Sequence, residues 1–114
     1  MKYEVMMTSQ AVADLRTVFE YIAYELLAGQ TALNQLDRLE KAIEGLEEMP
    51  ERHHVYEKEP WKSRNLRVMP VDNYLVFYIA EKEEKRVTVI RIMYGRRDIE
   101  TQLKAHTPDK DSDK

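Results

Sequence analysis

The feature that most constrains this chain is a change of hydrophobic period at Trp61. Before it, apolar residues recur at steps of three and four: Val12, Leu15, Phe19, Ile22 and Leu26, then Leu36, Leu39, Ile43 and Leu46. That spacing places them on one face of an α-helix. After it, apolar residues run together or alternate, as in Tyr74-Leu75-Val76-Phe77-Tyr78-Ile79-Ala80 and Val87-Thr88-Val89-Ile90-Arg91-Ile92-Met93-Tyr94. Those are strand patterns. Neither half can bury its apolar side alone, so a chain that switches once from helices to strands must lay one layer on the other.

The boundaries follow from local chemistry. Tyr3-Glu4-Val5-Met6-Met7 fits an opening strand, and Thr8 or Ser9 offers an N-cap. The first helical pattern ends near Gly29, and the second runs from Thr31 to Met49-Pro50. Only Ala28-Gly29-Gln30 separates them, so they fold back as an antiparallel hairpin. Residues 51–60 are polar and aperiodic and read as a loop. Leu66-Arg67-Val68-Met69-Pro70-Val71 is a first meander strand, and Asp72-Asn73 is its turn. The Tyr74–Ala80 run, apolar throughout, is a central strand covered on both faces, and Gly95 closes the last strand. Residues 96–106 fit a short helix. The expected fold is α+β: an N-terminal strand, a helical hairpin and a three-stranded antiparallel meander, with helices on one face of a mainly antiparallel sheet and the other face free. A single domain is expected over 1–106, with a disordered polar tail at 107–114.

Composition excludes several functions. Hydrophobic residues at 43% and charged ones at 34% are globular proportions rather than those of a disordered chain. No apolar run is long enough to span a bilayer or serve as a signal peptide, so a cytoplasmic protein without membrane contact is expected. With no cysteine there is no disulfide, thiolate zinc site or cysteine nucleophile. The net charge of -3 conceals an asymmetry: residues 1–60 hold six Lys/Arg against twelve Asp/Glu, whereas residues 61–97 hold nine against four. A basic half on an acidic body suits a polyanionic or acidic partner.

Met49-Pro50-Glu51-Arg52, Ser63-Arg64-Asn65-Leu66-Arg67, Val71-Asp72-Asn73-Tyr74-Leu75-Val76-Phe77-Tyr78 and Ile90-Arg91-Ile92-Met93-Tyr94-Gly95-Arg96-Arg97-Asp98-Ile99 together resemble the RelE/ParE superfamily of bacterial type II toxins. The resemblance runs from residue 3 to about 100. It implies a growth-inhibiting toxin neutralised by a cognate antitoxin. The expected action is ribosome-dependent cleavage of messenger RNA, as in the RelE-like branch, with ribosome and mRNA as partners. The alternative is the ParE-like one, non-enzymatic inhibition of DNA gyrase.

In the nuclease reading, guanidinium groups suit a phosphorane because they meet phosphate oxygens bidentately and stay charged. Arg67 and Arg97 match, by position, two basic residues of the RelE-like motif and are the catalytic candidates. Arg64, Arg96, Arg91 and Tyr94 are candidates for binding the nucleic acid or other target. Tyr74, Tyr78 and Trp61 have aromatic faces that could stack on bases, but strand packing explains them better. Asp98 would pair with Arg64 or Arg67. Two departures oppose an enzyme: Leu75 stands where that branch follows its tyrosine with arginine, and Leu103 where a C-terminal tyrosine is expected. His53, His54 and His106 are the available imidazoles, and solvated loop positions are their simplest reading. Adjacent histidines diverge and nothing completes a tetrahedral set, so no metal or cofactor is expected. The antitoxin is expected as an acidic amphipathic helix or added strand on an apolar surface flanked by the basic residues.

Overall fold

The structure, a computed structural model, describes residues 2–95 and Leu103. Strand β1 (Glu4–Met7) leads into helix α1 (Ser9–Glu20) through Thr8, whose hydroxyl oxygen accepts from the Ala11 N–H at 3.0 Å. The same hydroxyl donates to the Ile90 carbonyl at 2.9 Å, so one residue caps the helix and ties it to the sheet. At Tyr21 the helix widens into a π-turn, Tyr21–Glu25, with the Leu26 N–H reaching the Tyr21 carbonyl at 3.1 Å. The reversal is completed by Leu27 at φ 54°. Gly29 is therefore not the end of α1; it opens helix α2, Gly29–Glu44.

The meander comprises β2 (Arg67–Val71), β3 (Tyr74–Glu81) and β4 (Arg86–Tyr94). The sheet order is β1-β4-β3-β2, with β1 parallel to β4 and the other pairs antiparallel. The expected Asp72-Asn73 turn forms with Asp72 at φ 55°, a conformation Asp tolerates better than most residues. Its carboxylate accepts from Arg38 Nε at 2.7 Å and Gln35 Nε2 at 3.0 Å, which clamps the turn to α2 and holds the Asp72 pKa below its ordinary value. Between β3 and β4 the register slips. Phe77 faces Arg91 while Tyr78 faces Val89, leaving Ile90 as the extra residue of a β-bulge.

Leu15, Val18, Leu39, Ile43, Val76, Tyr78, Val87, Val89 and Ile92 fill the space between helices and sheet. Phe77, between Val76 and Tyr78 on β3, belongs instead to a second cluster with Trp61, Leu66, Met93 and Leu103. Both faces of β3 are thus covered, as its unbroken apolar run requires. The expectation of a free outer sheet face is corrected by this second cluster. The segment read as a loop folds back onto the meander: Val55 bridges Arg67, the Tyr56 N–H reaches the Leu66 carbonyl at 2.7 Å, and the Val68 N–H reaches the His54 carbonyl at 3.0 Å. Trp61 then lies 5% exposed in this layer. Of the helix expected over 96–106 only Leu103 is described, and the expected tail lies outside the described residues.

Candidate functional site

The first catalytic candidate, Arg67, opens β2 opposite Tyr78 on β3. This places its guanidinium beside the chain leaving α2, where a one-turn 3-10 helix spans Pro50–Arg52. Arg67 Nη1 donates to the Glu51 carbonyl at 3.1 Å and the His53 carbonyl at 2.7 Å. The buried Tyr78 hydroxyl donates to the Pro50 carbonyl. Two neighbouring strand residues thus reach three carbonyls of this turn with side-chain donors. Arg52 Nη1 does the same for the preceding segment, donating to the Glu48 and Met49 carbonyls.

The electrostatics of this corner follow from its burial. Desolvation pushes the Tyr78 hydroxyl up to about 12, against the pull of Arg67 and Arg52, so Tyr78 is a neutral donor at any physiological pH. His53 packs edge-on against Tyr78 with ring centroids 6.3 Å apart. Its pKa is lowered from 6.5, first by burial, then by Arg52 and His54. Its Nε2 is buried without a hydrogen-bond partner among the described residues. The arrangement presents a neutral imidazole and a neutral phenol beside two guanidiniums that each tie backbone carbonyls through Nη1. That is an anchor for the Pro50–His53 turn.

The remaining candidates are scattered. Arg91, expected on the target-binding surface, lies inside instead, 5% exposed. Its Nε lies 2.8 Å and its Nη2 3.0 Å from the two Asp14 carboxylate oxygens, and Asp14 Oδ2 also accepts from the Ile92 N–H at 2.9 Å. Arg91 thus joins β4 to α1 directly beside the bulge at Ile90. Arg64 lies with its guanidinium carbon 5.0 Å above the buried Trp61 ring. Tyr94, 37% exposed, packs against Tyr74 with centroids 5.7 Å apart. Tyr94 pairs with Tyr74 and Arg67 with Tyr78, so the two are four residues, roughly 13 Å, apart along the sheet. Arg96, Arg97, Asp98 and His106 lie outside the described residues.

Leu75 packs against the second core cluster, and Leu103 is wholly buried within it. Both departures from the nuclease motif therefore contribute to packing. The basic excess of the meander is also partly offset within the chain: Lys62 lies 4.0 Å from Glu57, Lys82 3.9 Å from Glu51 and Arg86 2.9 Å from Glu84. Sequence reasoning missed Asp14, although a signal was present: a lone carboxylate on the apolar stripe of α1 and a lone arginine in the alternation of β4 are natural partners. Among the described residues no cluster of three or more potential metal ligands occurs, and no helix is long and apolar enough to cross a membrane.

Comparison with known proteins gives a consistent assignment. The chain resembles the chromosomal ParDE toxin-antitoxin system from P. aeruginosa at TM-score 0.66, with 16% identity over 82% of this chain and 96% of that one. It is similar to the RelBE2 toxin-antitoxin complex from Mycobacterium tuberculosis at TM-score 0.60 and 18% identity, covering 82% of this chain and 99% of that one. A mutant of E. coli toxin RelE, with arginines changed to alanine and solved in the free state, superimposes at TM-score 0.62 and 15% identity, covering 94% of this chain and 95% of that one. At these identities the likeness establishes the fold. No curated protein matches the sequence. The family model for the ParE toxin of the type II toxin-antitoxin system parDE matches residues 5–99, and this chain belongs to that family.

Proposed function

We propose that this toxin works by binding, inhibiting DNA gyrase without hydrolysing a substrate, and that a cognate antitoxin holds it in check in the cytoplasm. The observation that carries this reading is the position of Arg67. A phosphate-binding arginine is free to turn its guanidinium onto the phosphate, whereas Arg67 is tethered through Nη1 to the Glu51 and His53 carbonyls as part of the Pro50–His53 corner. The burial of Leu103 in the core supports the same reading, because no acid or base stands at that position. Tyr78 adds none, since its hydroxyl is held neutral and committed to Pro50. The match to the ParE family agrees with a target bound rather than cut.

The test pairs two assays on the purified protein and on cells expressing it. Supercoiling by gyrase is inhibited in proportion to protein added, and transcripts from cells expressing the toxin remain intact. Normal supercoiling at high protein concentration, together with cut transcripts, would overturn the proposal in favour of ribosome-dependent mRNA cleavage.

A further inference from the structure

A groove of about 530 Å³ lies between β1 and the facing sides of α1 and α2, and its chemistry is the reverse of the surface on which the sequence placed the antitoxin. Its floor is apolar, with Val5, Leu15 and Ile43, while Glu4, Glu40, Glu44 and Glu47 line its rim. The last three recur on one side of the α2 end at steps of four and three, so their charges add along a line. Among the described residues only Glu47 of the four has a cationic partner, Lys2 at 3.4 Å.

The groove runs beside an open sheet edge. Among the described residues β1 is the terminal strand, paired only with β4. The Glu4 N–H points to Lys85 and the Thr8 N–H to Val89, both on the β4 side. Alternation along a strand therefore turns the Val5 and Met7 amides the other way. The Tyr3 N–H, which also points that way, donates to the Glu47 carbonyl at 2.8 Å and shows that this edge faces the α2 end.

We propose that the groove receives an extended segment of the antitoxin, added as a fifth strand along β1 and carrying Lys or Arg towards the glutamates. The assignment to the antitoxin rests on the toxin role proposed above. Charge selects the occupant. A second copy pairing through its own β1 would bring Glu4 and Glu47 against their counterparts. Residues 107–114 of this chain, with three Asp against two Lys, carry the wrong sign. A basic, alternating strand satisfies the edge amides, the apolar floor and the carboxylate rim together.

The test uses two short fluorescent peptides, one alternating Val with Lys and the other Val with Glu, titrated into the purified full chain. The Lys peptide binds, weakens with salt and protects the Val5 and Met7 amides from hydrogen exchange; the Glu peptide does not bind. Changing Glu40→Gln and Glu44→Gln, both exposed, lowers affinity for the Lys peptide about fivefold to tenfold, and Glu44→Lys lowers it further. Equal binding of both peptides, no binding, or affinity unchanged in these variants overturns the groove assignment. A toxin-antitoxin complex that still binds the Lys peptide overturns the antitoxin as occupant. The supercoiling assay is independent: inhibited supercoiling without peptide binding removes this inference alone, and peptide binding without inhibition removes the gyrase reading alone.

Discussion

Asp14 and Arg91, 77 positions apart in sequence, meet as a buried bidentate ion pair that joins the middle of α1 to the bulged end of β4. Both side chains are at most 9% exposed, so neither charge recovers its hydration if the other is lost. Asp14→Ala should destabilise the fold by about 3–5 kcal/mol, read as a lower urea midpoint with an unchanged slope. The double change Asp14→Leu with Arg91→Met should recover most of that loss, because it leaves no buried charge. A double variant as unstable as the single one would show that the pair does more than neutralise itself.

This pair marks how far the sequence can be read. The helical stripes of α1 and α2, the apolar run of β3 and the Asp72-Asn73 turn are legible, because each is a local pattern with a local cause. The bulge is not, since Ile90-Arg91-Ile92 looks the same whether the strand is regular or slips by one residue. Arg91 reads as a surface cation because nothing local to β4 shows that Asp14 meets it from 77 positions away. The second core escapes because Trp61 and Leu66 sit in a stretch with no period, and only the fold brings them onto Phe77 and Met93. Arg67 is recognisable as a special residue, but the Pro50–His53 turn it anchors is invisible in a polar segment.

Tyr78→Phe removes the donor to the Pro50 carbonyl while preserving shape. Pro50 is buried, so its carbonyl is left without that partner, and the cost should be about 1–3 kcal/mol in denaturant unfolding. The same variant should remove a tyrosine titration near the top of an alkaline absorbance scan, since Tyr78 is pushed up to about 12.

Stability should fall on mild acidification, with His53 as one cause. Its folded pKa lies below the ordinary 6.5, so above that pH it is neutral whether the chain is folded or not, and the fold bears no penalty. As pH drops through 6.5 the unfolded chain takes up the proton first, and stability is lost until the folded pKa is passed. Thermal melts of His53→Asn should show a shallower decline below about pH 6.5 than the parent. Identical slopes would assign the effect elsewhere.

Arg67→Ala and Arg67→Lys separate anchoring from phosphate contact. Loss of the bonds to Glu51 and His53 should cost about 1–3 kcal/mol for either change, because a lysine side chain ends one bond short of Nη1, the single atom that reaches both carbonyls. If the protein acts by binding gyrase, supercoiling inhibition per folded molecule should survive both changes within a few-fold. A loss of inhibition of about a hundredfold or more in a folded Arg67→Lys protein would make Arg67 part of the target contact.

Restoring the missing nuclease residues gives the sharpest contrast between the two toxin mechanisms. Leu75→Arg and Leu103→Tyr would supply the side chains that the RelE-like pattern expects. Leu103 is fully buried with Phe77 and Met93, so a tyrosine there overpacks the second cluster at about 1–3 kcal/mol and must also find a partner for its hydroxyl. Leu75 packs on the same cluster, and its Cγ lies 3.6 Å from where a Gly95 side chain would begin, so an arginine must swing out of the layer. The double variant should therefore be less stable and still leave transcripts intact in a ribosome-containing extract. Cleaved transcripts from it would mean that the remaining nuclease machinery is present in this chain and that only these two side chains silence it.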